Sequence, residues 1–450
     1  MRYYRLMAPA ALVTEIDTRP VEPGVFAWKS PLATHPCQAP SARARTIRPF
    51  AVLATLLLTA CFTVPRKPAA PLVIAQVAPP GFPLNVRLLG IDRDFLGTRA
   101  DEVQRRVRAA AGGGALNILA LSGGGAGGAF GAGALVGLSR RGDRPQFQIV
   151  TGVSVGALLA PFAFLGQAWD QDLIEAFDSE RTAHLLHSRG LGFLFRPGLY
   201  QREPLTDLVN HLVTDRLIKA VAEEAAKGRL LVVATTDLDK QEPVIWDMGV
   251  IASHGGEAAR VLFRDVLVAS ASIPGLFPPV LIRVEGGGNS YDEMHVDGGT
   301  TVPLFVAPEI AQIASMDFSV LHGARVFVLV NGQLGSYPRT TPERPVPVLS
   351  RSFSAGLMHS SRRALEVSAA FAQRYGMEFR FSYIPMTYPF QGPFAFNLPA
   401  IHTLFDYGAR CALTGQLWLT LEEAVNQGQR AATRTPEETN DCPLADASRQ

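Results

Sequence analysis

Ser154 stands between two glycines in Gly152-Val153-Ser154-Val155-Gly156, where the apolar run Phe147 to Val150 gives way to a small-residue segment of helical spacing. A turn from strand to helix crowds the backbone around such a serine, so only hydrogen side chains fit at Gly152 and Gly156, and the hydroxyl is left standing at the strand's carboxyl end. That placement suits a nucleophile. The plain structural alternative is a tight turn with Ser154 capping the helix.

A second glycine turn lies some thirty residues upstream, after Ile118 to Leu121, and reads Ser122-Gly123-Gly124-Gly125-Ala126-Gly127-Gly128. Side-chain-free amides at a helix start point outward, and the helix dipole adds partial positive charge. Gly123, Gly124, Gly125 and Gly128 are therefore candidates for an oxyanion hole. Gly123, Gly125 and Gly128 also satisfy the dinucleotide fingerprint, so a nucleotide-binding α/β protein is an alternative; a Walker A loop is excluded, because no Gly-Lys-Ser/Thr follows. A third turn, Asp297-Gly298-Gly299, ends a short apolar run on a carboxylate followed by two permissive residues.

These three elements, in this order, resemble the patatin-like phospholipases, whose pattern is a glycine-rich loop, a G-x-S-x-G elbow and a later D-G-G or D-G-A. A fourth stretch, Ala269-Ser270-Ala271-Ser272-Ile273-Pro274-Gly275-Leu276-Phe277-Pro278-Pro279, resembles the family's A-S-x-S-x-P-x-x-F-P-P segment. Read from its residues alone, that stretch is a proline-rich turn. The resemblance covers about residues 115–331 and extends more weakly towards 425. It implies an α/β three-layer sandwich with a mostly parallel central sheet flanked by helices. It further implies Ser154 as nucleophile and Asp297 as its direct base, a dyad without histidine, with the amides around Gly124 and Gly125 as oxyanion hole. The activity implied is hydrolysis of acyl esters of lipids through an acyl-enzyme, as in a phospholipase A, lysophospholipase or lipid esterase, with no cofactor and no metal. The chain departs from the family at Gly127, where many members carry a cation, at Ser122, where plant members carry aspartate, and at Asp297-Gly298-Gly299-Thr300-Thr301-Val302-Pro303, which lacks the asparagine often found before the proline. A catalytically weak lipid-binding envelope protein that keeps the fold is a further alternative.

An unperturbed aspartate, with pKa about 3.9, is a weak base for a serine. The dyad therefore needs a desolvated carboxylate. His295, two residues before Asp297, would share its face of a strand; it is either a rival base, a group orienting the aspartate, or a neutral structural histidine.

The elements that must hold these groups follow from periodicity. Arg229 to Thr236 and Arg325 to Val330 read as buried strands and Pro243 to Met248 as a short one, while Thr98 to Ala111 reads as a helix stopped by Gly112-Gly113-Gly114. Residues 169–218 read as helical lid or substrate elements, with an apolar loop over Leu191 to Tyr200. Asp237-Leu238-Asp239 reads as a solvated turn rather than a metal site.

The chain has 450 residues, 47% hydrophobic and 18% charged, with a formal charge of +2 and no basic stripe with interleaved aromatics, so nothing points to nucleic acid. Arg43, Arg45 and Arg48 precede the apolar run Phe50 to Leu58, which has the length of a signal-peptide core and is too short to span a bilayer. Leu58-Thr59-Ala60-Cys61 then resembles a bacterial lipobox, which implies lipidation at Cys61. With Phe62 rather than aspartate after the cysteine, that resemblance implies anchoring in the bacterial cell envelope, at the periplasmic face of the outer membrane. The expected organisation is an N-terminal extension and signal peptide over 1–61, a Pro/Ala-rich tether over 62–97, a catalytic domain over 98–425 and a polar tail over 426–450. With Cys37 removed alongside the signal peptide and Cys61 lipidated, Cys411 and Cys442 remain as the only possible pair, a bridge that their spacing leaves open.

Overall fold

The computed structural model describes residues 66–69, 77–89, 93–178, 185, 198–306, 318–338, 340–424 and 441–443. The expected signal peptide with Cys61, most of the apolar loop over 191–200, and all but three residues of the expected tail lie outside the described residues.

A nine-stranded sheet organises the described chain. Its centre is five parallel strands in the order β4 (Leu230–Asp237), β3 (Ile149–Val153), β2 (Asn117–Leu121), β8 (Arg325–Val330) and β9 (Glu378–Tyr383). Both faces of the first four are covered, which is why they read as continuous apolar runs, whereas β9 alternates, with Glu378 and Arg380 exposed. In β2, Leu119 and Leu121 face one core while Ile118 and Ala120 face the other. The first core is closed by α2 (Gly128–Arg141), α3 (Val155–Leu165) and α10 (Leu398–Leu413), the second by α1 (Arg93–Ala111) and α9 (Pro345–Arg374). The result is the expected α/β sandwich of three layers, with a mostly parallel sheet between helices.

The β4 side of the sheet is antiparallel, a feature that the periodicity of single segments does not reveal. β5 (Glu242–Asp247) returns along β4, and β1 (Arg87–Leu89) adds outside β5. A hairpin of β6 (Val280–Gly286) and β7 (Asn289–Asp297) joins β4 through Thr235, Thr236 and Asp237. Part of the expected tether is thus folded: Ala78 bridges to Glu285, and Arg87–Leu89 pair with Val244–Trp246. The apolar side chains of Val77 and Val86 are buried, so this stretch belongs to the folded body rather than to a spacer.

Cys411 and Cys442 form a disulfide with Cα atoms 5.3 Å apart. Tyr407 donates to the Asp441 carbonyl at 2.6 Å, so this described piece of the tail is held against α10. Among the described residues no helix is long and apolar enough to cross a membrane.

Candidate active site

Strand β4 acts as the ruler of the site. Along it, Ala234 pairs with Val153 at the end of β3, and the next residue, Thr235, pairs with Asp297 at the end of β7. β7 takes over the edge of β4 where β3 stops. Ser154 and Asp297, 143 positions apart in the chain, are thereby set side by side, and the Ser154 hydroxyl donates to Asp297 Oδ2 at 2.5 Å.

Ser154 has φ 56° and ψ −126°, a region that side chains other than hydrogen rarely occupy. Such strain costs about 1–3 kcal/mol and persists only where the surroundings impose it. Here they do. A Cβ at Gly152 would stand 2.6 Å from the Gly156 carbonyl, and one at Gly156 would stand 2.4 Å from that of Leu121. The Ser154 carbonyl accepts from Ala157 at 2.9 Å, and its amide donates to Ser270 Oγ at 3.0 Å.

Asp297 is 3% exposed. Its Oδ1 accepts from the Gly299 amide at 2.7 Å, and its own amide donates to the Ser272 carbonyl at 2.9 Å. Burial pushes its carboxyl up to about 7, against the opposing pull of the bonds from Ser154 and Gly299. Gly298 has to be a glycine, because a Cβ there would lie 2.4 Å from the Ala234 carbonyl. The segment read as a proline-rich turn therefore does more. Its Ser270 holds the Ser154 amide while donating to Ala234, and its Ser272 holds the Asp297 amide.

Of the four glycines expected to supply an oxyanion hole, two use their amides elsewhere. The Gly123 amide donates to the Pro303 carbonyl at 3.1 Å, and that of Gly128 turns back onto Ala126 and Gly125. Their value is spatial, since a Cβ on Gly123 would lie 3.2 Å from that of Ser154, and one on Gly128 would lie 2.2 Å from Val155 Cγ2. The amides of Gly124 and Gly125 make no hydrogen bond among the described residues and remain as donors. At the first turn of α3, the amides of Val155 and Gly156 also lack an intrahelical acceptor.

The nucleotide-binding alternative meets an obstacle at this loop. The Pro393 carbonyl accepts from Ala126, and a Cβ on Gly125 would lie 2.1 Å from it, so the space a pyrophosphate would need is filled. Gly127, where many patatin-like phospholipases carry a cation, is equally confined: a Cβ there would lie 2.1 Å from the Asn331 carbonyl. Asn331 itself was not legible as a site residue. Its amide and side chain bond Ser122, tying the carboxyl ends of β2 and β8 together beneath the loop.

His295 makes no bond to either member of the pair. It is fully buried, and its Nδ1 pairs with Thr235 Oγ1 at 2.9 Å, which also accepts from Trp246. The turn at Asp237 departs from expectation too. Asp237 is buried rather than solvated, because its oxygens accept the amides of Asp239 and Lys240 and the Lys240 ammonium, which bonds Glu293 as well.

Beside Ser154 a cavity is walled by Leu158, Phe177, Leu185, Leu205, Leu208, Leu212, Ile273, Phe277, Phe396 and Ile401. Apart from Leu185 and Phe396, these come from α3, α4 (Asp170–Asp178), α5 (Glu203–Leu212), the segment after Ser270 and α10. It is an apolar slot with a hydroxyl at its head.

A comparison with curated proteins finds no match. Among solved structures, the crystal structure of VipD from Legionella pneumophila is similar at 14% identity and a TM-score of 0.33, over 67% of this chain and 67% of that one. Over residues 119–308, which hold both glycine turns, Ser154 and Asp297, the chain is similar to the patatin-like phospholipases and matches the model of that family.

Proposed function

We propose that this chain is a serine hydrolase of lipid acyl esters. The observation that carries the reading is the bond from the hydroxyl of Ser154, whose backbone is strained, to a desolvated carboxylate at the head of an apolar slot. The acyl chain lies in the slot and its carbonyl carbon meets Ser154 Oγ. As that oxygen bonds the carbon, its proton passes to Asp297 Oδ2, and the carbonyl oxygen gains charge against the Gly124 and Gly125 amides. Collapse returns the proton to the departing alcohol and leaves an acyl-enzyme. Water, deprotonated by the same carboxylate, then releases the fatty acid.

Kinetics of the full chain on acyl esters of increasing chain length test this. Ser154→Ala abolishes turnover, and Asp297→Asn lowers kcat by about three orders of magnitude or more with the fold intact. Turnover surviving Ser154→Ala excludes the nucleophile; a parent chain inert on every ester but retaining phospholipid indicates the binding-protein alternative.

The same proposal places the enzyme on a membrane of the bacterial cell envelope through lipid on Cys61. The Cys411–Cys442 disulfide supports an oxidising compartment. Radiolabelled fatty acid fed to expressing cells enters the parent chain and is absent from Cys61→Ala; equal labelling of both removes the anchor.

A further inference from the structure

A second and larger cavity opens on the other side of the glycine loop. Gly123, Gly124 and Asn331 line it at the carboxyl ends of β2 and β8, and the first half of α9 lies opposite. In open α/β sheets, ligands bind outside the carboxyl ends of the strands where the strand order reverses. β2 is that point: the chain continues from β2 to β3 and β4 on one side and adds β8 and β9 on the other.

The two cavities differ in chemistry. Apart from Ser154, the first is lined by apolar residues and glycine. The second sets Ser350, Ser354 and Ser361 among apolar walls that include Pro342, Leu357, Met358, Phe390 and Phe394, and among its described lining residues Arg351 is the one charged side chain. Arg351 is half-buried, and no carboxylate pairs with it among the described residues.

A tetrahedral centre on Ser154, with its oxygen on the Gly124 and Gly125 amides, carries two further substituents: the acyl chain and the leaving alkoxy group. The loop bearing those amides borders both cavities, and the apolar one suits the chain. We infer that the second cavity receives the alcohol half of the ester, and that Arg351 selects an alcohol bearing a phosphate. This inference rests on the hydrolase reading. A guanidinium fork pairs with a phosphate through two parallel hydrogen bonds. The glycine loop cannot carry that charge, because the Asn331 carbonyl fills the space beside Gly127. α9 supplies it instead, from outside the stretch similar to the patatin-like phospholipases.

The test compares two esters of one fatty acid on the full chain, 1-acylglycerol 3-phosphate and neutral 1-acylglycerol. The quantity read is the ratio of their kcat/KM values. Arg351→Gln lowers that ratio about tenfold or more, mainly through KM of the phosphate ester, as expected for loss of a charged hydrogen-bonded pair. Arg351→Lys recovers part of it. A ratio unchanged by Arg351→Gln overturns the assignment. Titration of the Ser154→Ala chain separates this inference from the reading beneath it. If the parent cleaves no ester, yet acylglycerol phosphate binds and Arg351→Gln weakens that binding about tenfold, the hydrolase reading fails and the cavity assignment stands. Inorganic phosphate binding as tightly as acylglycerol phosphate overturns the assignment, since the site would then serve the free ion.

Discussion

Asp297 is the residue on which rate and stability pull in opposite directions. As proposed base it works only when ionised, so kcat/KM should rise with pH through an apparent pKa of about 7 and then level off. A pH profile flat from 5 to 8 would remove Asp297 as the base. Stability runs the other way. The folded pKa lies above the unfolded value of about 3.9, so the folded state binds the extra proton between these limits. The associated stability is full below pH 4 and lost as pH rises through about 7, by at most about 4 kcal/mol. Asp297→Asn, which carries no charge to desolvate, should therefore gain in Tm relative to the parent between pH 5 and pH 8, while losing turnover. Thermal melts across that range check the sign.

At the scale of elements, α2 shows why its sequence is so rich in glycine. The helix is buried on every side except its last two residues, and it lies directly on α10. A Cβ at Gly133 would stand 1.9 Å from the Phe405 carbonyl, and one at Gly408 would stand 2.3 Å from that of Phe130. Glycine in a helix normally costs about 1 kcal/mol relative to alanine, so Gly133→Ala in open surroundings would stabilise. Here the order is reversed, because backbone rather than a yielding side chain occupies the space. Gly133→Ala should lower the unfolding free energy by about 2 kcal/mol or more, read from urea denaturation. A neutral or stabilising result would mean that the helices separate more easily than their contact suggests. The same close approach fixes α2, and with it the glycine loop at its start.

Across the whole molecule, a buried chain of charges fastens the antiparallel part of the sheet. Arg87 on β1 bonds Glu293 on β7, Glu293 bonds Lys240, and Lys240 bonds Asp237 at the end of β4. Burial pushes the Glu293 carboxyl up, and the hydrogen bonding and charge of His295 and Arg87 more than reverse this, holding it well below the usual carboxylate range. Arg87 is the closer partner, since His295 Nε2 lies 3.5 Å from the carboxylate, beyond a good hydrogen bond. With the folded pKa depressed, this stability is present above the unfolded value of about 4.3 and lost as pH falls below it. Glu293→Gln leaves Arg87 and Lys240 buried without the anion between them. It should cost about 3–5 kcal/mol at pH 7 and flatten the fall of Tm between pH 5 and pH 3. An acid limb as steep as the parent's would show that other carboxylates carry it.

The sequence by itself determined what depends on local backbone. The elbow at Ser154, the glycine loop, the turn after Asp297 and the apolar strands β2, β4 and β8 each need particular residues within a few positions, so their composition announces them. Only the tertiary structure decided what depends on apposition across the chain. No spacing could show that β4 places residues 153 and 297 on consecutive rungs, that Pro303 takes the Gly123 amide, or that Ser270 and Ser272 hold the two backbones of the pair. Asp237 read as a solvated turn because its partner Lys240 is kept inside by Glu293, more than fifty residues away. Arg351 looks like any helical arginine until β2 and β8 meet it across a cavity. The reason is common to all of these: a short stretch encodes its own dihedral needs and polarity, while hydrogen-bond partners and cavity walls come from segments that the sheet alone brings together.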